Sequence, residues 1–340
     1  MKYGIISYDY TTNLGNEIQS IAARRFLPQV NYYIEHEKLH LFNEESNVKT
    51  IMNGYYLDCK NAWPPSENIN PLLISMHFNT NDFTKDVILK EESIEYLSNY
   101  GPVGCRDLNT LNFLQNHDID SYFSGCLTLT LENNNLELEN NEKYIILNTN
   151  QNDKLYSFLK NKTNMKIYSI HQNISFKEMF YELSSMHSCK EKFFVAENLL
   201  KIYENAFCVI TDRLHASFPS IALKTPVILL KNDEKLFDLE RFEGLSDYIL
   251  TSTFEDYLNN YNQFDVNNPP ENSKKYLKLR KNLIKKCKSF TGHINPTYKS
   301  NDNNVDIKTM ELLLKCNWEN RQLAYKNSIN MKKIEEKLKK

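Results

Sequence analysis

The sequence predicts an α/β chain of two Rossmann-like domains facing each other across a cleft, with helices at the C-terminus. Three observations carry this. Apolar runs of strand length alternate with amphipathic helical stretches in two separate series, the pattern of parallel sheets covered on both faces. A polar stretch, "LENNNLELENNE" at 131–142, parts the two series. The 340 residues suit two domains at about 150 each. The expected division is 1–135, 143–265 and a helical segment at 270–340.

In the first series, "YGIISY" (3–8), "VNYYIE" (30–35), "PLLISMHF" (71–78), "GPVGCRD" (101–107) and "SYFSG" (121–125) read as strands. Helices are expected at 16–26, at 91–99 and through "LNTLNFLQ". The second series reads "KYIILNT" (143–149), "MKIYSI" (165–170), "FCVIT" (207–211) and "PVILL" (226–230), with helices near 153–160, 176–186 and 196–204 and one after Arg213. Beyond a second polar stretch (259–273), Tyr276, Leu279, Leu283 and Cys287 recur at three- and four-residue spacing, predicting an amphipathic helix at 274–288 with a lysine-rich outer face. Such a face suits an anionic membrane or lipid-carrier contact, and equally an ordinary solvated surface.

Composition excludes several classes. A 41% hydrophobic content with 21 Tyr and 18 Phe supports sizeable cores and argues against disorder. A net charge of -2 provides no overall field for nucleic acid. Seven scattered cysteines without C-x-x-C spacing suggest neither a disulfide framework nor zinc, and fit a reducing cytoplasm. No basic segment followed by an apolar run opens the chain, and no run approaches the roughly 20 apolar residues of a bilayer span, so a cytoplasmic protein is expected, with the inner membrane face left open.

Chemistry concentrates where strands end. In "VITDRLHASFPS", Arg213, Leu214 and His215 follow a buried strand and open a helix, where free N–H groups and the positive dipole end favour an anion. A cation there opposes the dipole by about 0.3–1 kcal/mol unless an anion joins it. Arg106 in "GPVGCRDLNT" holds the same place in the first series, so the two arginines suit opposite ends of one dianionic ligand. "NLGNEIQS" places Asn13, Gly15 and Asn16 at a helix start, as a phosphate-accepting loop would. His77 ends a strand as well. Asp107 and Asp212 are candidate bases or simple helix caps. The D-x-D at Asp118 and Asp120 reads as a solvated turn more readily than as a metal site.

Together, "NLGNEIQSIAA", "NGYY", "WPPS", "LLISMHF", "GPVGCRDLNTLNFL", "SYFSGCLTLTL", "VITDRLHASFPSIALKTPVILL" and "FEGL" resemble the polysaccharide pyruvyl transferase family over about residues 3–250. Asn16 stands where members often carry Asp. The resemblance implies a GT-B-like enzyme that moves the pyruvyl unit of phosphoenolpyruvate onto a sugar of a cell-surface polysaccharide or its precursor as a cyclic ketal, releasing phosphate, with no cofactor. Arg106 and Arg213 would clamp the donor's carboxylate and phosphate, His215 would be the general acid, and Lys235, with Lys231 as its competitor, would stabilise the leaving phosphate. His77 would touch the acceptor, a lipid-linked, nucleotide-linked or polymeric sugar; a homo-oligomer is left open. Two other classes share these features: nucleotide-sugar glycosyltransferases of the same architecture, and a non-catalytic module that binds a phosphorylated ligand.

Overall fold

The computed structural model describes residues 1–9, 11–56, 63–133, 143–172, 189–231 and 240–295. In the first half, β1 (Tyr3–Ser7), α1 (Leu14–Arg24), β2 (Tyr32–Glu35), β3 (Val48–Tyr56), β4 (Ile69–Phe78), α2 (Asp82–Ile88), α3 (Glu91–Tyr100), β5 (Val103–Cys105), α4 (Leu108–Gln115) and β6 (Ser121–Phe123) follow in order. The strands form a parallel six-stranded sheet, β2-β1-β3-β4-β5-β6. The second half contains β7 (Tyr144–Asn148), α5 (Asn152–Leu159), β8 (Lys166–Ser169), α6 (Cys189–Asn205), β9 (Cys208–Thr211), α7 (Leu214–Ala222), β10 (Val227–Lys231), β11 (Leu250–Thr253), α8 (Phe254–Asn259) and α9 (Leu277–Thr291). Its parallel five-stranded sheet runs β11-β10-β9-β7-β8. Both are Rossmann-like units, as expected.

The order of strands reverses beside β1 in the first sheet and beside β7 in the second, so each has a switch point where the loops at the strands' carboxyl ends diverge. The expected strands and helices in the described residues form within a few positions, except that α6 begins at Cys189 rather than near 196. The reading missed β3, β11, α2 and α8. β3 was hidden because Lys49, Thr50, Asn53 and Gly54 interrupt its apolar run. In the fold those polar groups are partnered; the Asn53 amide, for instance, donates to the Gln19 carbonyl at 3.0 Å. The helix expected at 176–186 lies outside the described residues.

One apolar core joins the two units. Leu14, Ile18, Ile21 and Ala22 of α1 pack with Phe193, Ala196 and Leu200 of α6 and with Leu214, Phe218 and Ile221 of α7. Lys192 of α6 is buried at this junction. Its Nζ donates to the carbonyls of Tyr8 and Thr11 and lies 3.2 Å from Glu17 Oε1, so the second unit holds the β1–α1 loop of the first. The Arg24–Glu197 ion pair flanks it. Helix α9 turns Leu283 and Cys287 into the same core, and Arg280 donates to the carbonyls of Leu129 and Leu131. Lys278, Lys281, Lys285, Lys286 and Lys288 remain exposed on its outer face. Among the described residues no helix is long and apolar enough to cross a membrane.

Burial raises the Glu17 carboxyl from 4.5 to about 7, and Lys192 opposes that rise only in part. The folded state therefore binds this proton more tightly than the unfolded chain, so the contribution is full below pH 4.5 and is lost as pH rises through 7. The difference amounts to roughly 3 kcal/mol at about 1.4 kcal/mol per pK unit. Urea unfolding of the wild type should show stability falling between pH 5 and 8 by more than in Glu17→Gln. Parallel pH profiles for the two proteins would contradict this linkage.

Candidate active site

The first sheet brings His77, Arg106 and Asp107 together because β4 and β5 are neighbours. Met76 pairs with Cys105, and the Arg106 N–H donates to the Met76 carbonyl at 2.7 Å. Strand β4 reaches this point through a bulge: between the Met52–Leu73 and Gly54–Met76 pairs it has one more residue than β3, and Ser75 takes a φ of 56°. The Ser75 N–H is received by Ser124 Oγ at 3.1 Å. An extra residue reverses the alternation of side chains, so the bulge selects the face that His77 presents.

His77 Nδ1 and Asp107 Oδ2 are 2.6 Å apart, and both side chains are buried. The other Asp107 oxygen accepts the Thr110 N–H at 2.9 Å, so the same carboxylate caps α4. Arg106 Nε lies 3.7 Å from Asp107 Oδ2, and its Nη1 reaches Gln19 Oε1 of α1 at 3.5 Å. His77 and Arg106 hold the Asp107 carboxyl below its ordinary range against the effect of burial. Burial and the Arg106 charge lower the pKa of His77, with Asp107 opposing them. The imidazole is thus neutral near pH 7, with Asp107 ionised beside it.

The second sheet supplies His215. It stands in the first turn of α7 with non-helical angles (φ -87°, ψ 19°), and Pro219 follows four residues later. Proline has no N–H to return to the carbonyl four residues back. The His215 carbonyl accepts instead from Gln172 Nε2 at 2.7 Å, while the Gln172 carbonyl receives the Leu14 N–H at 2.7 Å. Gln172 therefore ties the start of α7 to the start of α1. Asn13 caps α1, its side chain accepting the Gly15 N–H at 3.0 Å, and Gly15 lies directly against the His215 ring. A Cβ on Gly15 would come within 3.0 Å of His215 Nδ1.

His215 is buried, with 7% of its surface exposed. Burial, then Arg106, Arg241 and His77 hold its pKa well below 6.5, so it too is neutral. Its Nε2 and that of His77 are buried and have no hydrogen-bond partner among the described residues. Arg241 was not foreseen. It lies in a segment with no strand-end signature, yet that segment crosses to the first unit: the Glu243 carbonyl accepts the Leu108 N–H at 3.0 Å, and Gly244 (φ +76°) packs against the Leu108 side chain. Gln172 and Gln19 were also missed, since single glutamines carry no motif. The usable signal was "FEGL", whose glycine permits the close approach to α4.

Arg213 does not share this cluster. Its Nε lies 2.9 Å from Asp212 Oδ1 and its guanidinium donates to Asn150, so these two neighbours hold its side chain. The second cation whose charge acts on His215 is Arg241. The side chain of Arg213 is directed by the carboxylate preceding it and by the loop after β7. Asp212, Asn150, Lys154 and Lys231 line a separate pocket of about 450 Å³ at the carboxyl ends of β7, β9, β10 and β11, beside the switch point. Leu214 is a core residue with its side chain in the shared apolar layer. Asn16 is half-buried at the start of α1, its side chain 3.5 Å from Gln19 Nε2. Lys235 lies outside the described residues. Asp118 and Asp120 are exposed, and no group of three metal-ligating side chains exists among the described residues.

The fold and the cluster define a class: a two-unit parallel α/β protein whose inter-unit site combines guanidinium groups with buried neutral imidazoles. A polysaccharide pyruvyl transferase family model matches residues 13–234, and the chain belongs to that family. No curated protein matches it in sequence. Solved structures similar to it include a UDP-N-acetylglucosamine 2-epimerase (TM-score 0.41, 11% identity, covering 87% of this chain and 92% of that one). Others are the S. aureus MnaA–UDP complex (0.39, 9%, 88% and 93%) and a variant of the wall teichoic acid polymerase TagF (0.38, 10%, 94% and 90%).

Gly15→Ala should test the contact between α1 and His215. The added methyl would meet Asn13 Oδ1 and His215 Nδ1 at 3.0 Å, so the imidazole must shift to admit it. Catalytic turnover is expected to fall by at least about tenfold, with a stability loss of about 1–3 kcal/mol in urea unfolding. Wild-type turnover would show that the ring position is not critical.

Proposed function

We propose that this protein transfers the pyruvyl unit of phosphoenolpyruvate to two hydroxyls of a sugar in a cell-surface polysaccharide or its precursor, forming a cyclic ketal and releasing phosphate. The observation that carries this reading is the buried His215 imidazole, packed against Gly15 with its Nε2 unpartnered among the described residues and acted on by the charges of Arg106 and Arg241. Two guanidinium groups suit a carboxylate and a phosphate on one small molecule. A neutral histidine among cations becomes a proton donor when a multiply charged anion enters, because the anion offsets the arginines and favours the imidazolium.

His215 then gives its proton to the terminal methylene carbon of the donor; the double-bond electron pair forms the new C–H bond and leaves positive charge at C2. A sugar hydroxyl oxygen bonds to C2, the C2–O bond to phosphate breaks with phosphate keeping the pair, and a second hydroxyl closes the ketal. Two hydroxyl protons are released in all. One balances the proton delivered to the methylene carbon, and the other leaves on phosphate.

Arg213 and Lys231, beside the pocket at the second switch point, would meet a second anionic group, such as that of a nucleotide- or lipid-linked acceptor. The exposed lysines of α9 would favour an anionic membrane surface near that carrier. A cytoplasmic setting supplies the donor to such a site.

Calorimetric titration tests the reading. Phosphoenolpyruvate should bind the wild type, binding should weaken at least about tenfold in Arg106→Ala and in Arg241→Ala, and His215→Ala should keep binding within about threefold while losing turnover. Full activity in His215→Ala, or binding of UDP with none of phosphoenolpyruvate, would overturn the reading, the latter in favour of a nucleotide-sugar glycosyltransferase.

Donor binding should also take up protons. At pH 7.5 the free His215 is neutral, and the bound anion raises its pKa, so titrations in two buffers of different ionisation enthalpy should reveal net uptake of a fraction of a proton per site. His215→Ala should remove most of it. Equal apparent enthalpies in both buffers for the wild type would contradict the proposed proton donor.

A further inference from the structure

Ketal formation requires a base as well as an acid, and the site contains a second imidazole. The geometry points to His77 as the catalytic base that receives the proton of the attacking acceptor hydroxyl, with Asp107 as the positioning residue behind it. This assignment rests on the pyruvyl transfer proposed above.

Four observations support it. The 2.6 Å contact between Asp107 Oδ2 and His77 Nδ1 is that of a charge-assisted hydrogen bond, which places the ring proton on Nδ1 and leaves a lone pair on Nε2. That Nε2 is buried and unpartnered among the described residues, so no protein group competes for the lone pair. Asp107 is itself fixed: it caps α4 through the Thr110 N–H, and Thr110 Oγ1 lies 3.3 Å from His77 Nδ1. Finally, His77 ends β4 at the carboxyl edge of the sheet, beside Arg106, where ligands of parallel sheets bind.

The groups that face His77 explain how two histidines take opposite roles. Asp107 and Thr110 approach from α4, Arg106 from the end of β5, Arg241 from the segment before β11, His215 from α7, and the Tyr55 ring from β3 at 5.6 Å. Only His77 has a carboxylate behind it. An imidazole backed by a carboxylate can accept a proton and hold the resulting charge, as an Asp–His pair does in acyl transfer. His215 has no such partner among the charges acting on it and is charged only while the anionic donor is present. In the step itself, the acceptor O–H bond breaks, its oxygen bonds to C2 of the donor, and the proton moves to His77 Nε2. His77 passes that proton to the departing phosphate, and the second hydroxyl's proton restores His215.

Three measurements test the assignment. In ¹⁵N-histidine spectra of the wild-type protein at pH 7, His77 should be the neutral Nδ1–H tautomer; an Nε2–H tautomer would overturn the proposal without any need for substrate. Calorimetry with phosphoenolpyruvate should give affinities within about twofold of wild type for His77→Gln, which also establishes that the variant is folded. Transfer of labelled pyruvyl from phosphoenolpyruvate into the polymer and membrane fraction of cells lacking this protein should fall on the order of 10²–10⁴-fold in His77→Gln.

Asp107→Asn should transfer more slowly than wild type with its acidic pH limb displaced, whereas a purely structural role would lower the active fraction and leave the limb in place. Transfer by His77→Gln within about threefold of wild type would remove His77 from the chemistry. If His77→Gln instead loses donor affinity at unchanged turnover, the residue binds donor and is not the base. Wild-type protein that binds no phosphoenolpyruvate and transfers nothing would overturn the pyruvyl reading itself, a result distinct from either.

Discussion

The site depends on what replaces one missing hydrogen bond. Pro219 cannot return an N–H to the His215 carbonyl, and a buried carbonyl without a donor costs on the order of 1–3 kcal/mol. Gln172 supplies the donor and, through its own carbonyl, receives the first N–H of α1. One residue from the loop after β8 thereby fixes the relative position of two helix starts that belong to different sheets. Gly15 can then lie against the imidazole, and Gln19, one turn further along α1, can reach Arg106. The pieces of the site are held by backbone groups that must be satisfied whether or not a ligand is present.

The electrostatics follow from enclosing this polar cluster beside an apolar layer. Ile18, Leu200 and Phe218 exclude water from the junction, so charges inside it interact strongly. The two arginines then disfavour any further positive charge, and both histidines stay neutral. Burial alone would neutralise Asp107 as well, but His77, the Arg106 charge and the Thr110 N–H together keep it ionised. An ionised carboxylate behind one imidazole and none behind the other makes two chemically identical side chains unequal.

Much of this was legible in the sequence, and the reasons differ by element. Strands such as "YIILN" and "CVIT" are continuous apolar runs and announce themselves; β3 is as central as either but is interrupted by polar residues, among them a buried Asn53 whose partner comes from α1. Arg106, His215 and His77 were found because each lies at or just beyond the carboxyl end of a strand, the place where parallel sheets bind ligands. The orientation of a side chain beyond that point was not legible. Arg213 has the same local signature as Arg106, yet its side chain is held by Asp212 and Asn150. Arg241 reaches the cluster through a segment 26 residues beyond His215 in sequence, a proximity that only the docking of Glu243 and Gly244 on α4 creates.

The bulge in β4 has a meaning for how this chain can vary. Because Ser75 reverses the alternation just ahead of Met76 and His77, the chemistry at the end of the strand is set by residue parity. Substitutions along the strand can be absorbed by repacking, whereas the gain of a single residue there would present the thioether of Met76, and the loss of one the ring of Phe78, where the imidazole now stands. The strand is thus a counted spacer, tolerant in composition and intolerant in length.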